Sequence, residues 1–207
     1  FHEVLQGLKH MHELNVLHRD VKPDNILLDN ECVKLCDFSL SSRLQPSMTS
    51  FVVTLWYRCP ELLMGSRQYT TSVDVWSVSC VLYEMIHGHP PFIANECSEI
   101  SQLKSICNVL GNPANDQLDQ VDNHGMQLEF PHTLSKDIYF AKCPSFLPKV
   151  FQFNVLERPG IDDLLAQCVK RNVTFFPSAS YRAELSESLP EGWTEIIANQ
   201  TTFRLDH

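Results

Sequence analysis

The hydrophobic positions of this chain predict a mainly helical domain. Apolar residues recur with a helical period over residues 1–14. Residues 73–86 are apolar on nearly every side, a pattern typical of a helix buried in the middle of a domain. A third helix is predicted over residues 98–110, before a Gly and a Pro, and a last one begins at the Arg-Pro pair of residues 158–159.

The same pattern predicts one β-hairpin between two loops. Two short apolar runs, residues 26–28 and 33–36, flank a polar Asp-Asn-Glu turn, as in a small hairpin. Residues 15–25 before it and 37–61 after it are predicted as loops, and a stretch as long as the second is usually a binding or regulatory element. Residues 112–148 lack clear periodicity and are assigned only loosely.

Composition excludes several classes of partner. The chain has 207 residues, 43% of them hydrophobic, which predicts one packed domain plus an extra segment. The net charge of −9 disfavours nucleic acid and anionic membranes as partners, and no apolar run is long enough to cross a bilayer. The eight cysteines form no Cys-x-x-Cys pair, which favours a reduced, cytoplasmic or nuclear protein. The pairs His10/His12 and His87/His89 are interpreted as solvated helix ends rather than metal ligands.

The loop of residues 18–25 reads HRDVKPDN and carries the strongest chemical signal. A phosphoryl transfer needs a carboxylate for the attacking hydroxyl, a cation near the moving phosphate and an oxygen ligand for magnesium. Asp20, Lys22 and Asn25 supply these three groups. Asp37, directly after the hairpin, adds a second metal-ligand candidate. The alternatives are a chance polar turn for the loop and a strand-end capping carboxylate for Asp37.

This loop resembles the catalytic loop of eukaryotic serine/threonine protein kinases. The triplet DFS of residues 37–39 is similar to the metal-binding triplet that ends in glycine in that family. The segments TLWYRCPE at residues 54–61 and DVWSVSC at residues 74–80 resemble those of cyclin-dependent kinases and their relatives. The resemblance runs from residue 1 to about 113, returns near the last helix and is lost after about residue 177.

The resemblance implies a fold and its cofactors. Residues 1–177 are expected to form a mainly α protein kinase C-lobe, a helical bundle with a small β-hairpin and a long activation segment. The glycine-rich loop and strand lysine of an N-lobe are absent from the sequence, so the chain is expected to be a fragment that is inactive alone. ATP and Mg²⁺ are the implied cofactors.

The tail, residues 178–207, has a separate resemblance. Residues 189–193 and 203–207 are similar to the first two strands of a WW domain, a module that binds proline-rich peptides. A disordered tail with chance similarity remains an equal alternative.

The family's catalytic roles are carried over to matching residues. Asp20 is expected to position or deprotonate the substrate hydroxyl, and Lys22 to neutralise the transferring phosphate as part of the cofactor site. Asn25 and Asp37 are expected to hold Mg²⁺ and contact the nucleotide. Thr54 is expected to hydrogen bond to Asp20 and Lys22 and so favour serine or threonine acceptors.

The resemblance also implies a phosphorylation switch. Thr49 lies where the family carries the threonine that an activating kinase phosphorylates, and Ser47 and Ser50 are rival sites. A phosphate adds charge of roughly −1.5 to −2 and strong acceptor oxygens, which can dock on arginines and order a loop. Arg19 and Arg43 are the expected phosphate-contacting residues.

A substrate pocket and partners follow from the same resemblance. Val52, Val53 and Arg58 match the family's pocket for the residue after the phosphoacceptor, which prefers proline. Proline brings no N–H into an apolar pocket and leaves no donor unsatisfied. Protein substrates with Ser/Thr-Pro sites, an activating kinase and a cyclin-like activator are the implied partners.

Four further residues are expected to be structural. Arg158 is expected to pair with Glu61 in a buried ion pair, and Asp74 to hold the backbone of the catalytic loop. The alternative for Asp74 is an ordinary first-turn carboxylate stabilised by the helix dipole. His18 completes this set as a structural residue of the loop.

Ser39 is the main departure from the family pattern. It replaces glycine, at a cost of about 1 kcal/mol if the backbone there needs a positive φ. This departure and the missing N-lobe leave open a pseudokinase or scaffold, whereas the retained Asp20, Lys22, Asn25 and Asp37 favour an active enzyme.

Overall fold

The computed structural model describes residues 1–29, 32–44, 55–113 and 135–170. Helices dominate these residues, as the hydrophobic pattern predicts. They are α1 (His2–Glu13), α2 (Pro60–Leu63), α3 (Ser72–His87), α4 (Glu99–Leu110), α5 (Lys136–Tyr139), α6 (Leu147–Val150) and α7 (Ile161–Lys170). Short 3₁₀ turns cover Pro23–Asn25, Leu55–Tyr57 and Val155–Glu157. Within the described segments, no helix combines the length and the apolar character needed to cross a bilayer.

Helix α3 is the centre of the domain. Most of its residues are buried, and the Trp76 side chain is fully enclosed. The helix ends at Gly88, which adopts a left-handed φ of 80° that glycine allows without strain. The prediction of a buried central helix is therefore confirmed, and a polar group on α3 that lacks a partner inside the protein is costly.

Helix α1 lies beside the hairpin and the last helix. Its buried face carries Val4, Leu5 and Leu8, and the helix packs against β3 and α7. These contacts fix the position of the loop that follows α1, which carries the polar motif.

Four strands in the described residues form two small antiparallel pairs. The predicted hairpin joins β2 (Ile26–Asp29) to β3 (Cys32–Leu35), with Ile26 opposite Leu35. The second pair, β1 (Val16–Leu17) with β4 (Ser42–Arg43), was not predicted, because two-residue strands leave no period in the sequence. Together the pairs bring the residues before β2 next to those after β3.

Aromatic rings fill the core below α3. Trp76 stacks on Phe92 and meets Phe151 edge to face, with ring centroids 5.5 and 5.0 Å apart. Phe140 stacks on Phe151 at 5.3 Å and belongs to the stretch that sequence periodicity assigned only loosely. Phe92, Phe140 and Phe151 lie in turns or at the ends of short helices, so no helical period reveals them.

The second histidine pair is not at a solvated helix end. His87 is buried and stacks on Tyr83 with the ring centroids 4.0 Å apart. Burial lowers the pKa of both His87 and His89. The prediction of solvated rings is wrong here because α3 ends inside the aromatic core.

Candidate active site

Three side chains of the loop between β1 and β2 form one hydrogen-bonded cluster. Lys22 Nζ donates to Asp20 Oδ2 at 2.9 Å, and Asn25 Nδ2 donates to the same oxygen at 2.9 Å. Asn25 Nδ2 also donates to the Asp20 carbonyl at 2.8 Å. The side chains of Asp20 and Lys22 are only 10% and 13% exposed. The structure thus brings together the three groups that the loop sequence singles out.

The cluster leaves two oxygen atoms for other partners. Asp20 Oδ1 receives no hydrogen bond from any described residue, while Oδ2 receives two. The Asn25 amide nitrogen is engaged by Asp20, so its amide oxygen is the group left to act as an acceptor or metal ligand. These oxygens suit a hydroxyl and a hard cation respectively.

Asp37 lies beside this cluster because of the hairpin. The N–H of Cys36 donates to the Asn25 carbonyl at 2.9 Å, which extends the β2–β3 ladder by one step and places Asp37 next to the loop. A hydrogen bond from the Ser39 hydroxyl is the main cause that lowers the pKa of the Asp37 carboxyl, and the charge of Lys22 adds to it. The Asp37 carboxylate therefore lies within electrostatic reach of the loop's cation.

Asp74 on α3 holds the backbone of the loop. Its Oδ2 accepts from the His18 N–H at 2.9 Å, and its Oδ1 accepts from the Arg19 N–H at 2.8 Å. The carboxylate is fully buried, and Arg19 has a strained φ of 68°. The two bonds stabilise this backbone, which agrees with the loop-holding position expected of Asp74, a residue that also lies in the first turn of α3.

His12 is a third partner of Asp74 that the sequence interpretation missed. His12 Nε2 lies 2.9 Å from Asp74 Oδ2, and the His12 side chain is 7% exposed. The prediction of a solvated helix end holds for His10, which is exposed, but is wrong for His12. The two histidines differ because the His12 side chain faces α3, whereas the His10 side chain faces solvent.

His18 connects the loop to the segment after β3. Its Nε2 lies 3.0 Å from the Cys36 carbonyl, and its ring packs against Phe38 with the centroids 5.3 Å apart. The fully buried His18 ring thus contacts both neighbours of Asp37, the carbonyl of Cys36 and the ring of Phe38.

The two arginines expected to hold a phosphate are placed differently. Arg19 Nε donates to the Leu40 carbonyl, and one of its terminal nitrogens donates to the Tyr69 hydroxyl at 3.1 Å. Arg43 is exposed on β4. The rest of the expected switch and pocket lies outside the described residues, namely Thr49, Val52, Val53 and Thr54 with the rival sites Ser47 and Ser50.

Arg58 lies at the border of this segment. Its guanidinium pairs with Glu99 at 3.7 Å, and its side chain is 10% exposed. Burial lowers the pKa of Arg58, an effect that the carboxylates of Glu99 and Asp20 oppose. The Arg58 guanidinium thus interacts with Glu99 on α4 and feels the charge of Asp20 in the loop.

Glu61 and Arg158 form a buried ion pair. Two nitrogens of Arg158 donate to the two Glu61 oxygens at 2.6 and 2.7 Å. Arg158 also donates to the Gln152 carbonyl and lies 4.9 Å from the centre of the Trp76 ring. The ion pair that the sequence predicts is present, and it ties the segment around α2 to the core.

Tyr57 and Glu84 form a second buried polar contact, which the sequence interpretation missed. The Tyr57 hydroxyl donates to Glu84 Oε2 at 2.7 Å. Burial raises the pKa of Glu84 to about 7, although the bond from Tyr57 works against this rise. The contact joins the 3₁₀ turn before α2 to the last turn of α3.

Ser39 does not adopt the positive φ at which the replacement of glycine would be costly. The described non-glycine residues with a left-handed φ are Asn15, Arg19 and Asp37, the last with a φ of 58°. The left-handed position of the triplet is therefore its aspartate and not its serine. The cost of replacing glycine does not arise in this conformation.

Comparison with known protein families assigns the chain to a family. The sequence profile described as "Protein kinase domain" matches residues 1–169, most of the chain. The chain belongs to the protein kinase family.

Individual kinases match between about half and four fifths of the chain. Mitogen-activated protein kinase 10 of Arabidopsis thaliana is 36% identical over 177 residues, which cover 80% of this chain and 44% of that protein. Mitogen-activated protein kinase homolog NTF3 of Nicotiana tabacum is 46% identical over 125 residues, 58% of this chain and 33% of that protein. The kinase chain therefore spans less than half the length of these relatives.

A solved structure supports the fold. The crystal structure of the yeast RNA Pol II CTD kinase CTDK-1 complex contains a chain that aligns with a TM-score of 0.71 at 27% identity. The alignment covers 85% of this chain and 62% of that one. The cyclin-dependent kinase affiliation expected from the sequence fits only loosely, because mitogen-activated protein kinases stand among the relatives.

The residues present fit the Mg²⁺ that protein kinases use with ATP. Hard cations prefer carboxylate and amide oxygens, and the Asn25 amide oxygen and the Asp37 carboxylate offer both. No cluster of three or more His, Cys, Asp or Glu residues suited to a metal occurs in the described part of the kinase chain. Two protein ligands are nevertheless consistent with Mg²⁺, which is usually held by one or two carboxylates plus phosphate oxygens and water.

Proposed function

We propose that the protein containing this chain is an ATP-dependent protein serine/threonine kinase. One observation carries the proposal. Asp20, Lys22 and Asn25 form a single cluster beside Asp37. The set contains a carboxylate for a hydroxyl, a cation for a phosphate and two oxygen donors for a divalent ion, which are the requirements of phosphoryl transfer.

Each residue of the cluster has a defined task in this proposal. Asp20 Oδ1 orients the acceptor hydroxyl and takes its proton as the acceptor oxygen bonds to phosphorus and the bond to ADP breaks. Lys22 lies against Asp20 and offsets negative charge on the transferring group. Asn25 and Asp37 would hold Mg²⁺, which when bound neutralises charge on the phosphate oxygens.

The substrate preference is a finer part of the proposal. We infer acceptors followed by proline, with Val52, Val53 and Arg58 forming the pocket and Thr54 selecting serine or threonine. This choice rests on the match of these residues to the pocket of the family that the sequence resembles. A cyclin-like activator and an activating kinase acting on Thr49 belong to the same proposal.

The part of the kinase fold that this chain supplies is also proposed. Residues 1–177 would be the C-lobe, which lines the site from one side. Leu27 and Leu28 on β2 lie two and three residues after Asn25 and are 54% and 60% exposed, which supports a further element that covers them. The 207 residues alone would then not enclose a nucleotide or turn it over. The assignment of residues 178–207 to a WW-like segment stays a prediction, as does the cytoplasmic or nuclear location.

Transfer of labelled phosphate to peptides tests the proposal. The intact protein that carries this sequence is expected to phosphorylate a Ser-Pro peptide faster than a Ser-Ala peptide, and a Tyr-Pro peptide not at all. Asp20→Asn is expected to lower the rate about 10²- to 10⁴-fold, whereas Asp137→Asn, an exposed carboxylate on α5, leaves it unchanged. A folded protein that binds ATP without any transfer would instead support a pseudokinase.

A further inference from the structure

The Ser39 hydroxyl fixes one oxygen of the Asp37 carboxylate. It donates to Asp37 Oδ1 at 2.6 Å, and the Ser39 N–H donates to the same oxygen at 3.2 Å. A carboxylate oxygen offers about two lone-pair positions, so Oδ1 is fully engaged. No described residue donates to Oδ2. The carboxylate is therefore held in one orientation, with one oxygen presented outward.

The backbone around the triplet is held without this hydroxyl. The Cys36 N–H donates to the Asn25 carbonyl at 2.9 Å, and Arg19 Nε donates to the Leu40 carbonyl. Ser39 itself is exposed and has no left-handed φ. Removing its hydroxyl leaves no cavity and breaks no loop contact, so the hydroxyl acts on the carboxylate and not on the chain path.

We propose that Ser39 is a positioning residue, whose hydroxyl turns the Asp37 carboxylate so that Oδ2 faces the divalent cation. The inference rests on the proposed function, in which Asp37 is a metal ligand. A glycine in the third place of the triplet could offer only its N–H, whereas this chain adds a side-chain donor. Hydrogen bonds that orient a metal ligand change metal affinity by about 10- to 100-fold when they are removed. Because the N–H bond survives, we expect the lower end of that range.

Binding of Mn²⁺ provides a readout that does not depend on turnover. Free Mn²⁺ is measured by electron paramagnetic resonance during titration of the intact protein in the presence of ADP. Ser39→Ala is expected to raise the Mn²⁺ dissociation constant about tenfold. Ser39→Thr retains the hydroxyl and is expected to bind like the parent.

Two further variants separate the possible failures. Ser42→Ala is the matched control, because the Ser42 hydroxyl donates to its neighbour's carbonyl at 3.0 Å and has no other hydrogen bond among the described residues. Its Mn²⁺ affinity is expected to equal that of the parent. Asp37→Asn is expected to abolish the site. If Asp37→Asn binds Mn²⁺ normally, the proposed function loses its metal ligand.

The remaining outcomes test the role of Ser39 without testing the proposed metal site. If Asp37→Asn abolishes binding but Ser39→Ala binds like the parent, the positioning role of Ser39 is overturned while the metal site stands. Equal losses in Ser39→Ala and Ser42→Ala also overturn it, since the effect would then be general to the segment. In the active protein, Ser39→Ala should raise the half-saturating Mg²⁺ concentration about tenfold without changing the KM for peptide.

Discussion

The carboxylates of Asp74 and Asp37 serve the same site by opposite means. Asp74 is fully buried on α3 and accepts hydrogen bonds from backbone more than 50 residues earlier in the chain. Asp37 is exposed, and its hydrogen-bond donors among the described residues belong to Ser39 of the same triplet. The buried carboxylate fixes the shape of the loop, while the exposed one remains accessible to a ligand.

The difference in burial implies that Asp74 contributes mainly to stability and Asp37 mainly to the proposed chemistry. A buried carboxylate with two charge-assisted bonds to backbone is costly to remove, because its donors are left without partners inside the protein. An exposed carboxylate with local partners can be replaced at little cost, because water takes over its bonds. Substitutions at the two places should therefore separate unfolding from activity.

Replacement of Asp74 is expected to have the largest effect on stability. Asp74→Ala leaves the N–H groups of His18 and Arg19 unsatisfied and should lower the free energy of unfolding by about 3 kcal/mol or more. Urea denaturation followed by circular dichroism measures the change. Asp162→Ala, an exposed carboxylate on α7, is the control. A similar loss in both variants would contradict the anchoring role of Asp74.

Glu84 is expected to make stability depend on pH. Its pKa is raised to about 7 from an ordinary 4.5, so its contribution is full below the ordinary value and is lost as pH rises through 7. The difference in unfolding free energy between the parent and Glu84→Gln should therefore shift by on the order of 3 kcal/mol between about pH 4.5 and 7. Denaturation curves collected across this range measure it. A flat difference would show that Glu84 is solvated.

Ser79 is expected to have a smaller effect of the opposite sign. Its hydroxyl is buried on α3 and has no hydrogen-bond partner among the described residues. Ser79→Ala should leave stability unchanged or raise it by about 1 kcal/mol, since an unsatisfied buried group is removed. Thermal unfolding measures the shift. A marked loss of stability would reveal a partner for this hydroxyl.

Asp37→Asn completes the series with the smallest effect on stability. The side chain is exposed, so the unfolding midpoint should stay close to that of the parent. Phosphate transfer by the intact protein should nevertheless be lost. Thermal unfolding and peptide phosphorylation on the same preparation test both halves. Destabilisation comparable to that of Asp74→Ala would remove the contrast between the two carboxylates.

The sequence predicts the features that are formed by residues close together along the chain. Asp20, Lys22 and Asn25 share one loop, and a hairpin with an evident turn brings Asp37 to them. The buried nature of α3 also follows from its nearly continuous apolar run. These features are encoded within a few residues, where periodicity and motif are informative.

Contacts over long separations could not be derived in the same way. The partner of His12 lies 62 residues away, and the bond between Tyr57 and Glu84 spans 27. Each of these contacts depends on how α3 packs against other elements, which a local sequence pattern does not predict. The Ser39 geometry was expected from a family rule about glycine, but the left-handed position falls on Asp37.

Paramagnetic broadening by Mn²⁺ tests most directly whether these groups share one site. The side-chain amide resonances of asparagine and glutamine are recorded for the intact protein with ADP as Mn²⁺ is added. The account predicts that the Asn25 amide broadens first, that buried Gln102 in the core does not, and that Asp37→Asn removes the effect. An Asn25 signal that stays sharp at saturating Mn²⁺, or broadens equally in the Asp37→Asn protein, would contradict it.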